Sequence, residues 1–172
     1  MEITYRALDL SSDADCELLC RWNNDPALKH LYNRFPDQES SEFVFSPKSF
    51  RRSGPPSDEG RRRTLVVLVD GLAAGQACLE FDTPKLLHRD SHTAWIALIV
   101  GEEQFRGCGL GKRIVEHLET LAAEAGAHRV EIGVFEYNSR ALQFFGGLGY
   151  EEFRRRPERA WWQGRLWAEV RL

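Results

Sequence analysis

The sequence predicts an α/β (α+β) fold, because apolar strands alternate with amphipathic helices along its 172 residues. Residues 65–69 and 94–100 are continuous runs of β-branched and other apolar side chains, as in strands that are buried on both faces. Residues 110–125 instead repeat apolar side chains at helical spacing, and Gly126 is the expected stop. A chain of this length is expected to fold as one domain, 1–172, around its own apolar core.

The N-terminal region predicts one strand and two helices before a weakly patterned segment. Residues 3–8 predict a short strand, and the polar capping residues 11–15 predict the helix that follows. Asp25 and Pro26 predict the start of a second short helix, because proline suits the first helical position. Residues 33–63 show no clear periodicity and include a Gly-Pro-Pro breaker, so we expect a mobile loop there.

A hairpin is predicted in the middle of the chain. Asp70 and Gly71 form a favoured two-residue turn after the first apolar run, so residues 77–81 are expected to return antiparallel to it. Further on, residues 130–135 alternate apolar side chains in the manner of a single strand.

The C-terminal region predicts one more helix and two strands. Asn138 is a helix-capping residue and Gly149 a stop signal, so a helix is expected between them. The final strands are expected at 150–155 and 161–172, and three tryptophans of this region then fall on the last one.

The overall composition excludes several classes of partner. A formal net charge of -3 and a pI of about 6.0 give no reason to expect nucleic acid or an anionic membrane as a partner. The N-terminus lacks the apolar segment of a signal peptide, and no run approaches the roughly 20 apolar residues of a spanning helix. We therefore expect a cytoplasmic protein.

Cysteine and histidine spacing gives no metal site. The four cysteines contain no CxxC pair, so we expect reduced thiols that lie mostly in the core. His88 and His92 form an HxxxH pattern in a predicted loop without an evident third ligand. No metal is expected.

The chemistry of the chain is expected in the segment Arg106–Lys112, which reads Arg-Gly-Cys-Gly-Leu-Gly-Lys and joins a predicted buried strand to the amphipathic helix. A helix N-terminus has unpaired N–H groups and the positive end of the helix dipole, so it binds phosphate well. Three glycines in this segment leave the backbone open to a close approach. The segment therefore predicts a phosphate-binding loop.

The spacing of the loop separates three phosphate-binding patterns. The Walker loop needs a glycine five residues before Gly111 and a Ser or Thr after Lys112, where this chain has Arg106 and Arg113. The dinucleotide fingerprint needs a glycine at the third position beyond Gly109, where Lys112 stands. The remaining pattern is Arg or Gln, two residues, Gly, one residue, and Gly or Ala. Arg106, Gly109 and Gly111 match it.

With this loop the chain resembles the GNAT superfamily (GCN5-related N-acetyltransferases), in which the loop holds the pyrophosphate of acetyl-coenzyme A. Residues 138–150 are similar to the family's other cofactor motif, in which an Asn begins a helix that ends in Leu-Gly-aromatic. Residues 21–26 are similar to the start of the RimJ/RimL-like branch, which acetylates protein N-termini, amino sugars and related amines.

The resemblance implies a mixed, mostly antiparallel sheet of six to seven strands, flanked by about four helices, with strands 4 and 5 splayed apart around the pantetheine arm. It implies that the main chain at residues 99–101 bonds the pantetheine and the thioester carbonyl, where an N–H group would stabilise the developing oxyanion. The cofactor-binding residues that it implies are Ile99, Val100, Gly101, Arg106, Gly107, Cys108, Gly109, Leu110, Gly111, Lys112, Asn138, Arg140, Ala141, Phe144 and Phe145.

The family's usual proton-transfer residues are missing. Its tyrosine donor position is Phe145 here, and its glutamate position is Gly133. An attacking alkyl amine must lose a proton, so another acceptor is needed. Glu80 is our first candidate for the catalytic base and Glu131 our second.

We therefore expect an N-acetyltransferase that moves an acetyl group from acetyl-CoA to a primary amine of a small molecule or peptide by direct attack. The alternative is a non-catalytic acyl-CoA binding or sensing domain, which Phe145 and Gly133 favour. Both hypotheses predict cofactor binding. The identity of the amine is not predicted, because its pocket would involve the weakly patterned residues 33–63. A monomer and a homodimer are both compatible with the sequence.

Overall fold

The computed structural model describes residues 1–52 and 62–172. Their contacts define two compact units, of which unit 1 comprises Met1–Glu17 and the described part of Pro47–Glu131, and unit 2 comprises Leu18–Ser46 and Ile132–Leu172. The strands are Ile3–Ala7 (β1), Arg62–Val69 (β2), Leu72–Phe81 (β3), Thr93–Val100 (β4), Arg129–Glu131 (β5), Gly133–Phe135 (β6), Arg154–Trp162 (β7) and Arg165–Arg171 (β8). The α-helices are Asp13–Asn24 (α1), Lys29–Tyr32 (α2), Gln38–Ser41 (α3), Pro47–Arg52 (α4), Leu110–Glu124 (α5) and Ser139–Gly147 (α6), and Glu103–Phe105 is a short 3-10 helix.

The predicted α/β class with mixed, mostly antiparallel pairing is confirmed. Unit 1 contains a sheet in the order β1-β2-β3-β4-β5, in which β4 and β5 are parallel and the other pairs antiparallel. Unit 2 contains an antiparallel sheet in the order β6-β8-β7. The described residues thus form eight strands in two sheets, where six or seven in one sheet were expected.

The central hairpin is confirmed, with a longer second strand than predicted. Asp70 and Gly71 have φ values of 49° and 80°, so both adopt the left-handed conformation that a type I′ hairpin turn requires. The returning strand β3 begins directly after this turn, whereas the sequence indicated residues 77–81.

Strands β4 and β5 separate soon after they meet. Their parallel register joins Thr93 to Arg129 and ends where Trp95 faces Glu131. Strand β4 continues to Val100 and stays paired with β3 on its other side. The C-terminal part of β4 therefore lies beyond its pairing with β5, as the predicted splay requires.

Helix α5 supplies much of the core of unit 1 and confirms the amphipathic prediction. It contacts β3 and β4 through a buried apolar face. Its end is a Schellman motif, in which Ala127 N donates to Ala122 O and Gly126 N donates to Ala123 O, both at 2.9 Å. Gly126 has a φ of 89°, which glycine adopts without strain. The buried face of the helix comprises Leu110, Ile114, Val115, Leu118 and Ala122.

The prediction of a loop over residues 33–63 was wrong for the described part, which contains α3 and α4. Asp37 caps α3: its Oδ1 accepts from Ser40 N at 2.7 Å, while Ser40 Oγ accepts from Asp37 N at 3.3 Å. This reciprocal capping stabilises a helix too short to show periodicity. Residues 53–61 of the predicted loop lie outside the described residues.

The single strand predicted over residues 130–135 was also wrong, because it is divided at Ile132. Strand β5 pairs with β4, while β6 pairs with β8. Ile132 exchanges two main-chain hydrogen bonds with Leu172, each 3.0 Å long. The two short strands thus belong to different sheets.

The predicted C-terminal strands have different bounds in the structure. Trp161 and Trp162 end β7, and only Trp167 of the three tryptophans lies on β8. Between the strands, Gln163 and Gly164 form a two-residue turn with φ values of 49° and 81°. Strand β7 begins at Arg154, so the segment predicted from residue 150 joins the sheet later than expected.

The four cysteines are reduced thiols, as predicted, and Cys16 and Cys78 are buried. Within residues 1–52 and 62–172, no helix combines the length and apolar character that crossing a bilayer demands.

Candidate active site

The N-terminus of α5 presents uncapped main-chain donors. Gly109 is the N-cap residue, with a left-handed φ of 85°, and no side chain caps the helix there. The first turn contains no acidic residue, so nothing in that turn neutralises the positive end of the helix dipole. A Cβ built on Gly109 would meet no atom of the described residues within 4 Å, so the space beside this glycine is open. This arrangement is suited to binding a phosphate group.

Two cations in the first turn add to this positive potential. The side chains of Lys112 and Arg113 are 60% and 67% exposed, and each lies 3.8 Å from a carboxylate oxygen of Glu116. Exposed pairs of this kind contribute little to stability and exchange readily. Both cations can therefore turn toward an anionic ligand.

The side chain of Arg106 bonds to the main chain at the end of β4. Its Nε donates to the carbonyl of Val100 at 3.1 Å, and its Nη2 donates to the carbonyl of Gly101 at 2.6 Å. The guanidinium therefore fastens the start of the glycine-rich loop to the end of β4. Its direct contact with the cofactor stays a prediction.

At the end of β4, the main-chain groups of neighbouring residues point to opposite sides of the strand. The N–H groups of Gly101 and Glu102 both donate to the carbonyl of Ala74, at 2.9 and 3.2 Å. Glu102 lies beyond the end of β4 at Val100, but up to Gly101 the strand pattern holds, in which successive residues point their main-chain groups to opposite sides. Val100 therefore faces away from β3, which agrees with the contact between its carbonyl and Arg106. Of the three predicted residues 99–101, Val100 has the amide on the side where β4 and β5 separate.

Gly75 allows β3 to lie close to the end of β4, and its importance was not predicted from the sequence. A Cβ at Gly75 would lie 2.1 Å from the main-chain oxygen of Ile99, which no side chain can tolerate. The adjacent Ala74 is an extra residue in the β2–β3 pairing, since the register passes from Val67–Gly75 to Leu68–Ala73. A glycine inside an apolar strand is the signal that could have indicated the close approach.

Glu80, the first candidate for the catalytic base, is buried and held in ion pairs. Its Oε1 accepts from Lys85 Nζ at 2.6 Å, lies 3.5 Å from Arg62 Nε and accepts from Cys78 Sγ at 3.4 Å. Burial by itself would raise the pKa of Glu80, but the hydrogen bond and charge of Lys85, with Arg62 and Cys78, outweigh it and lower the pKa. A carboxylate stabilised in this way accepts a proton weakly. Its catalytic role stays a prediction.

Glu131, the second candidate, is fully buried and binds a loop. Its Oε1 accepts from His88 N at 2.8 Å and lies 2.5 Å from His88 Nδ1, and its Oε2 accepts from Leu87 N at 3.0 Å. These bonds fix the segment between β3 and β4. They give Glu131 a structural role, and a catalytic role for it likewise stays a prediction.

The other polar residues singled out in unit 1 have local partners. Cys108 is exposed, and its Sγ donates to the carbonyl of Phe105 at 3.0 Å. His92 Nδ1 lies 3.1 Å from the carbonyl of Gly126, away from the Glu131 contact of His88. No cluster of three or more His, Cys, Asp or Glu side chains in the described part of the chain is arranged to hold a metal ion.

In unit 2, Asn138 begins helix α6 as predicted. Its side-chain oxygen accepts a 3.1 Å hydrogen bond from Ala141 N. Phe145 is 4% exposed, and its ring packs against Phe144 and Tyr150 at centroid distances of 4.9 and 5.3 Å. The residue at the family's tyrosine position is therefore an apolar packing residue.

Unit 2 also contains an aromatic cluster that sequence reasoning missed. The hydroxyl of Tyr137 donates to the carbonyl of His30 at 2.6 Å, and burial raises the pKa of Tyr137. The His30 ring stacks on Trp162 with centroids 3.7 Å apart. Tyr137 also contacts Trp167 edge-on, at 5.7 Å. These residues are far apart in sequence, so periodicity gave no sign of the cluster.

Comparison with known proteins agrees with this geometry. The fold and the glycine-rich helix N-terminus are those of an acetyl-CoA-dependent acyltransferase. The model of the acetyltransferase (GNAT) family matches residues 15–150, and the chain belongs to that family. No curated protein matches the sequence.

Similar solved structures share the fold at low identity. A spermidine N-acetyltransferase from Vibrio cholerae, in complex with CoA and spermine, is 17% identical over 98% of this chain and 92% of its own, with a TM-score of 0.74. A ribosomal-protein-alanine N-acetyltransferase from Brucella melitensis is 17% identical over 98% and 96%, with a TM-score of 0.73. The yncA protein from Salmonella typhimurium, solved with its cofactor acetyl-CoA, is 18% identical over 100% and 94%, with a TM-score of 0.73.

Proposed function

We propose that the chain transfers the acetyl group of acetyl-CoA to a primary amine of a small molecule or peptide, by direct attack of the amine on the thioester. The uncapped, glycine-rich N-terminus of α5, directly after a β4 strand that separates from β5, carries this proposal. We also treat residues 1–172 as a single acetyltransferase domain, since the family match includes residues of both units.

The cofactor's pyrophosphate is assigned to the amides of the Arg106–Lys112 loop. Charge-assisted bonds from main-chain N–H groups to phosphate are strong, and the helix dipole adds to them. The unit 2 residues around Asn138 are assigned to the cofactor by the family motif, with the capped start of α6 in support.

The amide of Val100 is assigned to the thioester carbonyl. Its neighbour Gly101 donates to Ala74, so Val100 faces the opposite side, beyond the last pairing with β5. A fixed N–H group stabilises the oxyanion that forms when the amine attacks, an effect worth about 10² to 10³ in rate for one donor. No particular side chain is needed for this contribution.

Positioning and the oxyanion contact are assigned most of the rate, and the attacking amine loses its proton to a carboxylate or to solvent. Glu80 and Glu131 remain the side-chain candidates, although their buried partners support structural roles better. The thiol of coenzyme A is acidic enough to leave without a dedicated acid.

A free-thiol assay with purified protein and acetyl-CoA tests the proposal. The panel contains amino acids, peptides, amino sugars and polyamines, and the Vibrio cholerae relative supplies the reason to include spermidine. Each acceptor is paired with its N-acetylated form as the matched control. Thiol release with a free amine, and none with its acetylated partner, supports the proposal; a panel without any amine-dependent release contradicts it.

A further inference from the structure

Strand β7 contains a wide bulge within the hairpin of unit 2. Its register passes from Arg156–Glu169 to Ala160–Trp167, so residues 157–159 together face only Ala168. Within the bulge, Glu158 has a φ of 52°, a conformation that non-glycine residues seldom adopt. Bulges with such strain often turn a side chain toward a functional site.

The bulge places Arg159 among like charges. Its Nε is buried and makes no hydrogen bond to the described residues. Arg34 lies beside it, with its Nε donating to the carbonyl of Arg159 at 3.1 Å. Burial, followed by the charges of Arg34 and Arg156, lowers the pKa of Arg159, and only Glu169 opposes this.

The carboxylate of Glu169, near the bulge, already forms ion pairs with two other arginines. Glu169 lies 3.3 Å from Arg156 Nη1 and 3.6 Å from Arg171 Nη1, and it is 14% exposed. Neither Arg34 nor Arg159 forms an ion pair with a carboxylate of the described residues. The guanidinium groups around the bulge thus carry more positive charge than Glu169 neutralises.

A partly buried cation without a counter-ion destabilises a fold, so its presence calls for a functional reason. An oxyanion would supply the missing acceptor atoms and the missing negative charge. Guanidinium groups match carboxylate and phosphate oxygens through paired N–H donors. We infer that the β7 bulge, with Arg159 and Arg34, binds a carboxylate or phosphate group, and that this group belongs to the acceptor amine.

The second half of this inference rests on the proposed function. Arg34 lies in the segment 33–63, where the sequence placed the acceptor pocket. An acidic amine, such as an amino acid, fits the arginine cluster, whereas a polyamine would be repelled by it.

Thermal unfolding tests the anion site without any catalysis. Wild type and Arg159→Gln are compared in sodium phosphate, sodium acetate and sodium chloride at matched ionic strength. Phosphate or acetate should raise the Tm of wild type above its value in chloride, because a ligand that binds the folded state stabilises it. The rise should be smaller in Arg159→Gln; phosphate binding at the N-terminus of α5 is common to both proteins, so the difference between them measures the bulge site. The salt with the larger difference in Tm shift between wild type and Arg159→Gln shows whether the site prefers phosphate or carboxylate.

The matched control is Arg155→Gln, on the same strand and with the same change in charge. Arg155 already pairs with Glu136 and Glu152, at 2.5 and 2.9 Å, so this variant should keep the response to anions. In chloride, Arg159→Gln should be at least as stable as wild type, because it removes an unpaired, partly desolvated charge. A Tm lowered by several degrees in Arg159→Gln, or equal responses to all three salts in wild type, would overturn the site. Arg34→Gln, at an exposed position, repeats the test.

Kinetics test the acceptor class. For an amino acid acceptor, Arg159→Gln should raise KM about 10- to 100-fold with little change in kcat, as expected for the loss of hydrogen bonds to a charged group. For the corresponding amino acid amide, KM should be the same in both proteins. If wild type acetylates the amide or spermidine as well as the acid, the acceptor assignment is wrong. If it acetylates nothing, the proposed function fails, and the salt-dependent Tm still decides the anion site.

Discussion

The guanidinium of Arg106 donates a 2.6 Å hydrogen bond to the carbonyl of Gly101, so the glycine-rich loop is fastened to the end of β4. A second hydrogen bond, from Arg106 Nε to the carbonyl of Val100, further restricts the orientation of the guanidinium. One side chain therefore links the loop whose amides are assigned to the pyrophosphate with the strand end whose Val100 amide is assigned to the thioester. We therefore expect Arg106 to position the proposed cofactor site.

Replacing Arg106 by Gln should loosen the loop and weaken acetyl-CoA binding about tenfold or more, because two bonds from a charged donor are lost. Isothermal titration with CoA measures this. Arg155→Gln is the control, since it makes the same change in charge at a side chain that pairs with Glu136 and Glu152 of unit 2. Equal affinities for wild type and Arg106→Gln would contradict the positioning role.

Replacing Gly75 by Ala should destabilise the protein by roughly 3 kcal/mol or more, because the new Cβ would lie against main chain rather than a movable side chain. Chemical denaturation gives the free energy of unfolding. Gly147→Ala is the matched control, since a Cβ there meets nothing within 4 Å. If both variants unfold at the same denaturant concentration, the close approach of β3 and β4 is wrong.

Replacing Glu80 by Gln should lower the free energy of unfolding at pH 7 by about 1–2 kcal/mol, through loss of its bond with Lys85. The pKa of Glu80 in the folded protein is below its ordinary 4.5, so this stabilisation is present above that pH and is lost as the pH falls through the folded pKa. The difference from wild type should therefore shrink below about pH 4.5. A fall in kcat of about 10² or more at unchanged stability would instead show that Glu80 is the base.

Replacing Glu131 by Gln should lower the free energy of unfolding by roughly 2–4 kcal/mol, because an amide cannot accept all the bonds that the buried carboxylate accepts. Hydrogen exchange should accelerate at the amides of Leu87 and His88. A variant with wild-type exchange and stability but a large loss of kcat would refute the structural role.

The sequence predicted the features that depend on local chemistry. The Asp70-Gly71 turn, the Gly126 stop and the Asn138 cap each act within a few residues, and each lies where it was expected. The loop before α5 was recognisable for the same reason, since glycine spacing and helix start are both local.

Features that depend on partners distant in sequence were missed. Residues 130–135 alternate apolar side chains in the same way whether they form one strand or two. The sequence therefore did not indicate that the segment is divided at Ile132 between β5, which pairs with β4, and β6, which pairs with β8. The turn at Gln163 needs a positive φ that glutamine rarely adopts, so the C-terminal hairpin was placed wrongly. The ion pairs of Glu80 join residues from three segments, and only the fold brings them together.

The central claim is that the amides at the start of α5 bind the pyrophosphate of acetyl-CoA, and titration of acetyl-CoA into Gly109→Glu tests it most directly. Gly109→Ala is the control, because it introduces the same backbone strain at a φ of 85° without a negative charge. The account predicts that Gly109→Glu remains folded but loses detectable binding, while Gly109→Ala retains most of it. Binding to Gly109→Glu with wild-type affinity would contradict the account.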